Sequence, residues 1–224
     1  MMPVAYLVMA AALFASTQAH GPWGVAFAPR DASAPRPAIV YLHGMWASPE
    51  DSCATFEPGA TAFGFLVCPR GNAPMEGGRM WSGGWADAAR QVHAALDAAQ
   101  SMAPGKLDAS GGGTLIGYSN GAWFAVQGAL AEPHRWTGLV LLSMKVDLEV
   151  AKLRAAGVER VLLGAGDKDM ARAAMEATAR ATDAAGLPAR FVSLGSGGHA
   201  FPDDMSERMR AAIAWVRGQT SPPE

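Results

Sequence analysis

The chain has 224 residues, of which 50% are hydrophobic and 17% are charged, and this combination suits one globular domain and argues against disorder. Its formal net charge of −2 excludes a strongly basic nucleic-acid-binding protein, so we expect no nucleic-acid partner. Its 2 cysteines exclude a disulfide-rich scaffold and a zinc site built from four cysteines.

The N-terminal segment resembles a secretory signal. It carries no charged side chain and contains an apolar run over residues 4–15, which is short for a membrane span. Thr17 and Ala19 suit a cleavage site after Ala19. A buried N-terminal helix and an uncleaved anchor are the alternatives, because no Lys or Arg precedes the run. We expect a signal peptide, residues 1–19, and one exported domain, residues 20–224, periplasmic or secreted and not stably inserted in a membrane.

The two cysteines, Cys53 and Cys68, fit an exported protein, since a single pair in an oxidising compartment favours a disulfide. Two separate buried thiols are the alternative. Neither cysteine stands in a recognisable nucleophile motif, so a catalytic thiol is not expected.

Short apolar runs alternate with periodic, helix-like segments along the rest of the chain. Such runs are typical of strands buried on both faces, and the alternation predicts βαβ units in a mostly parallel sheet with helices on both faces. A functional site then lies just after the carboxyl ends of the strands. The predicted strands cover residues 37–42, 63–68, 114–118, 136–142, 160–163 and 189–194, and the predicted helices run from Trp85 to a stop at Pro104 and over residues 121–130, 147–156, 170–185 and 203–216.

The third predicted strand is followed by Gly117-Tyr118-Ser119-Asn120-Gly121, a G-x-S-x-G pattern between a strand and a helix. In that context the glycines permit a sharp turn that holds the central serine in a strained conformation and exposes its hydroxyl. Ser119 is therefore the predicted nucleophile. A glycine-rich turn with an incidental serine is the alternative.

The first predicted strand is followed by His43-Gly44-Met45-Trp46. Ester hydrolysis builds negative charge on the carbonyl oxygen, and two fixed backbone N–H groups usually stabilise it. We assign these donors to Met45 and Asn120. His43 precedes the turn, and we expect it to pack or to hydrogen-bond within the loop rather than to catalyse.

A base and an acid are expected after the later strands. His199 stands in the glycine-rich loop after the last strand and is the predicted general base. Asp167 and Asp169 compete for the role of the acid that orients it. Asp169 is preferred if the fifth strand runs through Ala165, and Asp167 if that strand stops at Leu163.

Together these segments resemble the α/β-hydrolase superfamily. The motifs IVYLHGMW, IGYSNGA, LLGAGDKD and GGHAF carry the resemblance, which spans about residues 36–217, and the order Ser119, Asp169, His199 matches that of the superfamily. The small lidless branch near dienelactone hydrolases, feruloyl and acetylxylan esterases and polyhydroxyalkanoate depolymerases is similar, although Ser119 stands where dienelactone hydrolases have a cysteine. The resemblance implies an α/β-hydrolase fold and a serine hydrolase without a cofactor.

The segment of residues 143–159 has room for one helix only, so we expect no cap domain and an open site. Such a site suits small-molecule or polymer-borne esters. Trp46, Trp81 and Tyr118 are the candidates for substrate contact, with tryptophans that merely cover the sheet edge as the alternative. No phosphate-binding loop, dinucleotide fingerprint or metal-ligand cluster is seen in the sequence, so no metal or cofactor is expected.

These residues predict cleavage of carboxylic esters through an acyl-enzyme. A peptidase or amidase with the same triad, an acyltransferase and a non-catalytic, ligand-binding relative remain open at this point.

Overall fold

A computed structural model describes residues 18–29, 31 and 33–219 of the protein. Two antiparallel strands are followed by alternating strands and helices, with a short hairpin and one short edge strand inserted. In chain order the elements are β1 (Gln18–Gly21), β2 (Gly24–Phe27), β3 (Arg36–Leu42), α1 (Pro49–Ala60), β4 (Phe65–Pro69), β5 (Ala73–Met75), β6 (Gly78–Met80), α2 (Trp85–Met102), β7 (Leu107–Asp108), β8 (Gly113–Tyr118), α3 (Asn120–Ala131), β9 (Trp136–Leu142), α4 (Val150–Ala155), β10 (Arg160–Ala165), α5 (Arg172–Ala184), β11 (Ala189–Ser193) and α6 (Met205–Val216).

A nine-stranded sheet has the order β1-β2-β4-β3-β8-β9-β10-β11, with β7 paired to β3. The pairs β1–β2 and β2–β4 are antiparallel, and every pair from β4 to β11 is parallel. The prediction of a mostly parallel sheet is therefore confirmed. Its central strands, β3 and β8, end side by side, which brings the segments after Leu42 and Tyr118 together.

Helices cover both faces of the sheet, which explains why its strands are apolar throughout. On one face Ile39 and Tyr41 pack with α1 and α6, whose buried side chains include Phe56 and Ile213. On the other face Val40, Leu42 and their neighbours pack with α2, α3, α4 and α5. No cap domain is evident in the described chain, since only α4 lies between β9 and β10.

The structure contains one long helix that the sequence patterns did not predict. Helix α1 begins after Ser48, whose hydroxyl accepts the Asp51 N–H at 3.1 Å, and continues through Pro58 and Gly59. Gly59 is tolerated there because it lies against the backbone of Ser206 in α6, where no side chain would fit. The strands β1, β2 and β7 and the hairpin β5–β6 were also not predicted, because each has four residues or fewer.

A disulfide joins Cys53 of α1 to Cys68 of β4, with both residues buried and their Cα atoms 6.1 Å apart. Most of the predicted signal peptide, residues 1–17, lies outside the described residues, and the proposed boundary after Ala19 falls within β1. None of the helices in the described ranges is both long and apolar enough to cross a membrane.

Candidate active site

Ser119 occupies a sharp turn between the end of β8 and the start of α3. Its backbone has φ 51° and ψ −122°, a region that costs a non-glycine residue energy. The turn is possible because Gly117 lies against Ala122 and Gly121 lies against the carbonyl of Leu42, where a Cβ would collide with backbone atoms. This conformation presents the hydroxyl at the carboxyl edge of the sheet.

Three polar side chains from different loops meet in one line of hydrogen bonds. The Ser119 hydroxyl lies 3.0 Å from Nε2 of His199, and Nδ1 of His199 lies 3.0 Å from Oδ2 of Asp169. A histidine in this position can accept the serine proton on one nitrogen while the carboxylate holds the proton on the other. The structure thus brings Ser119, His199 and Asp169 together as the sequence predicted.

Backbone hydrogen bonds between two loops hold His199 next to Asp169. The Asp167 N–H donates to the Gly195 carbonyl at 2.8 Å, and the Lys168 N–H donates to the Gly197 carbonyl at 2.9 Å. A Cβ on Gly166 would come within 2.5 Å of the Gly197 oxygen, so this glycine allows the two loops to touch. The loop after β10 and the loop after β11 therefore fix the histidine and the acid as one unit.

The Asp169 side chain is 2% exposed, and it stays ionised because of its hydrogen bonds. Burial alone would raise its pKa, but the hydrogen bonds from the Ala171 N–H, at 2.9 Å, and from His199, at 3.0 Å, hold the pKa below its ordinary value. Ser143 has a positive φ of 55° directly after β9 and was not predicted. An ionised Asp169 can stabilise an imidazolium on His199.

Asp167, the competing candidate, points elsewhere. Its carboxylate forms an ion pair with Arg172 and accepts the Ser193 hydroxyl at 2.6 Å. Strand β10 runs to Ala165, and this is the strand end for which the sequence favoured Asp169 over Asp167. Asp167 instead ties β11 to α5.

The two residues predicted as oxyanion donors, Met45 and Asn120, belong to two segments that meet at Ser119. Asn120 is the first residue of α3, where a backbone N–H has no partner within the helix. Met45 lies in the turn after β3, and Gly44 brings that turn close, since a Cβ on Gly44 would lie 3.2 Å from the Cβ of Ser119. The turn that contains Met45 and the start of α3 therefore lie next to one another at Ser119.

His43 is fully buried and lies outside the line of Ser119 and His199. Its Nε2 accepts the Gly71 N–H at 2.9 Å, so Nδ1 carries the proton and donates it to the Gly44 carbonyl at 2.7 Å. Burial lowers the pKa of His43, which keeps the ring neutral. The bond to Gly44 lies within its own loop, as expected, and the bond to Gly71, which was not predicted, connects that loop to the one after β4.

Two of the three candidates for substrate contact reach the surface. Trp46, with φ 61°, is 61% exposed, and its N–H contacts the sulfur of Met75 at 3.3 Å. Tyr118 is half-buried, with its ring centroid 5.1 Å from that of His199 and 4.4 Å from that of Phe201, a residue to which the sequence reasoning gave no role. Burial, reinforced by the Asp169 charge, raises the pKa of Tyr118 to about 12, so the phenol remains neutral.

Trp81, the third candidate, requires a correction. Its side chain is 1% exposed and packs between His43 and Phe124, so it does not contact a substrate in this structure. This orientation could not be predicted, because a tryptophan in a loop can face either the core or the solvent. Its hydrogen bonds run to Asn120 and to His43, in the two segments that contain the predicted oxyanion donors.

Four large apolar side chains of the described residues are exposed to solvent. The exposed ones in the described chain are each within four positions of a site residue: Met45, Trp46, Trp123 and Met170. The described residues contain no group of three or more His, Cys, Asp or Glu side chains that could hold a metal ion.

No protein-family model and no curated protein matches the chain. Several solved structures are nevertheless similar to it. Esterase PE8 has a TM-score of 0.64 at 22% identity, covering 86% of this chain and 98% of its own. FphF, a fluorophosphonate-binding serine hydrolase of Staphylococcus aureus, has a TM-score of 0.63 at 17% identity, and the match covers 91% of this chain and 97% of FphF. A carboxylesterase of Bacillus cereus has a TM-score of 0.61 at 19% identity, and the match covers 87% of this chain and 93% of the carboxylesterase. At these identities the likeness concerns the fold, and together with the sheet order it shows that the chain has the α/β-hydrolase fold.

Proposed function

We propose that the protein is a serine hydrolase that cleaves carboxylic esters through an acyl-enzyme. The observation that carries this proposal is the line of two 3.0 Å hydrogen bonds from Ser119 through His199 to Asp169. The esterases and serine hydrolases of similar structure support the same reaction class.

The proton path follows from the geometry. His199 takes the proton from the Ser119 hydroxyl through Nε2 as the oxygen attacks the ester carbonyl. The imidazolium, paired with the ionised Asp169, then gives that proton to the departing alcohol. In the second half of the reaction His199 removes a proton from water, which attacks the acyl-Ser119 ester, and His199 then returns that proton to the Ser119 oxygen as the acid is released.

The negative charge of the tetrahedral intermediate falls on the former carbonyl oxygen. The N–H groups of Met45 and Asn120 are the donors proposed to bind it. Donors fixed by the fold need no reorganisation during the reaction, and loss of one typically costs about 10²–10³ in rate.

An apolar ester on an open surface is the substrate that the site suits best. His199 is 51% exposed, and no cap domain is evident in the described chain to cover it. The exposed side chains of Trp46 and Met45 offer apolar contact beside the proposed oxyanion site. These features favour an apolar acyl group over a charged one, whether the ester is small or carried by a polymer.

The proposal is tested with p-nitrophenyl esters of two to eight acyl carbons. Wild type should hydrolyse them, and Ser119→Ala should fall to the background rate. Ser101→Ala is the matched control, because this exposed serine of α2 only donates to the Asp97 carbonyl, and its activity should equal that of wild type. Equal activity of Ser119→Ala and wild type would overturn the proposal.

We further propose that the domain of residues 20–224 acts outside the cytoplasm after removal of residues 1–19. The buried disulfide between Cys53 and Cys68 supports this, because such bridges persist in oxidising compartments. Cleavage after Ala19 would leave His20 and Gly21 of β1 paired with β2. N-terminal sequencing of the protein from a periplasmic or culture fraction should begin at His20, and recovery of an intact N-terminus in the cytosol would contradict export.

A further inference from the structure

Trp81 connects the two segments that carry the proposed oxyanion donors. It follows the hairpin β5–β6 and is buried, so its polar groups bind protein rather than solvent. Its backbone N–H donates to Oδ1 of Asn120 at 2.8 Å, and its indole Nε1–H donates to the His43 carbonyl at 3.1 Å. One rigid residue thus holds the start of α3 and the end of β3 at the same time.

The second of these bonds acts on the orientation of the Met45 N–H. The Gly44 carbonyl and the Met45 N–H belong to the same peptide group. Because a trans peptide is planar, these two groups point in opposite directions. The His43 ring donates to that carbonyl at 2.7 Å, which fixes the plane. Trp81 in turn fixes the His43 carbonyl and packs against the His43 ring, with the two centroids 5.5 Å apart.

The first bond acts on the other donor. The Asn120 side chain is held by Trp81, while the N–H of the same residue remains at the open end of α3. An apolar residue at position 120 could not replace Asn120 here, since the side-chain oxygen accepts the hydrogen bond from the Trp81 N–H. Both donors are therefore set relative to one another through Trp81.

We propose that Trp81 is a positioning residue for the oxyanion hole, setting the separation and direction of the Met45 and Asn120 N–H groups. The proposal rests on the function proposed above, in which these groups bind the charged oxygen. The indole bond to the His43 carbonyl is buried, so no water replaces it once it is removed, and the donor geometry is then free to relax.

The test uses Trp81→Phe, which removes the indole N–H and keeps an aromatic ring in the core. Trp85→Phe is the matched control. Trp85 is also buried, and its indole donates to Glu132 at 3.0 Å, at the other end of α3. For each variant we would measure kcat and KM on a p-nitrophenyl ester, the thermal midpoint, and the inhibition constant of an aryl trifluoromethyl ketone.

The ketone reports on the oxyanion hole itself. Ser119 oxygen adds to the ketone carbon, its proton passes to His199, and the ketone oxygen becomes the oxyanion. In Trp81→Phe we expect kcat to fall by about 10–100-fold, less than the loss of a whole donor, with KM within about threefold. The inhibition constant should rise by the factor by which kcat/KM falls.

The control should lose thermal stability while its kcat and inhibition constant stay within about twofold of wild type. If Trp81→Phe does not fold, Asn120→Ala removes the other hydrogen bond while retaining the backbone N–H, and the same kcat and inhibitor pattern is expected. The proposal is overturned if a folded Trp81→Phe or Asn120→Ala keeps wild-type kcat and inhibitor binding, or if Trp85→Phe changes both equally. A wild type that neither hydrolyses esters nor binds the ketone would refute the proposed function instead.

Discussion

Replacing Asp169 by asparagine tests the proposed triad with the smallest structural change. The carboxylate accepts the Ala171 N–H on Oδ1 at 2.9 Å and faces His199 with Oδ2 at 3.0 Å. An asparagine that keeps its oxygen on Ala171 turns its NH₂ group toward Nδ1 of His199. That nitrogen must then act as an acceptor, so the proton moves to Nε2 and faces the Ser119 hydroxyl.

The size of the effect follows from this change of tautomer. A histidine with its proton on Nε2 cannot accept the serine proton, and the corresponding change in a serine protease lowers kcat by about 10⁴. At about 1.4 kcal/mol for each factor of ten, this corresponds to about 5.5 kcal/mol of lost transition-state stabilisation. We therefore expect kcat of Asp169→Asn to fall by about 10⁴ while KM changes little.

The assay compares Asp169→Asn with Asp167→Asn on one p-nitrophenyl ester at pH 8. Asp167 carries the same side chain two positions away, and it pairs with Arg172 at a partly exposed site. We expect its variant to lose at most about 1 kcal/mol of stability and to keep kcat within about threefold. A larger loss of kcat in Asp167→Asn than in Asp169→Asn would refute the assignment of the acid.

Three further predictions concern stability. Ser119→Gly should be more stable to urea than Ser119→Ala by about 1 kcal/mol, because glycine relieves a positive φ that costs about 1–3 kcal/mol, although both variants are inactive. The double variant Cys53→Ala/Cys68→Ala should lose about 3 kcal/mol, since the bridge closes a loop with a sequence separation of 15. Burial lowers the pKa of His43, so the unfolded chain binds a proton on this ring more readily than the folded chain does. As the pH falls below about 6.5, the free energy of unfolding should therefore fall by up to about 1.4 kcal/mol per pH unit. The His43→Gln variant should show a smaller dependence of stability on pH.

Each of these predictions has an opposing result. Equal urea midpoints for the glycine and alanine variants at Ser119 would show that the turn is unstrained. A reducing agent should destabilise the wild type and not the double cysteine variant, and the reverse would contradict the disulfide. If the free energy of unfolding of His43→Gln depends on pH as steeply as that of the wild type, groups other than His43 cause the dependence.

Local patterns were enough to predict the sharp turn at Ser119 and the central sheet. The G-x-S-x-G segment specifies its turn through the steric limits on Gly117 and Gly121, which depend on residues close in the chain or on the adjacent strand β3. The central strands are buried on both faces, so they appear in the sequence as continuous apolar runs, and these runs predict strands. The preference for Asp169 depended on where β10 ends, which the sequence left open and the structure places at Ala165.

Features that depend on contacts between distant segments could not be predicted in the same way. Pro58 and Gly59 read as helix breakers, and α1 is stable across them because Gly59 packs on α6. The hairpin β5–β6 is too short to show a pattern, and it is held by contacts such as the bridge between Arg79 and Ala47. Trp81 reads as a surface residue until the fold turns its indole toward the His43 carbonyl.

The central claim is that Ser119 is a nucleophile activated by His199. The most direct measurement is reaction of the folded protein with a fluorophosphonate, followed by mass spectrometry of the peptides. We expect a single adduct on the peptide that contains Ser119, formed rapidly in the wild type and lost in His199→Ala. A wild type that stays unmodified, or that carries its adduct on another residue, would contradict it.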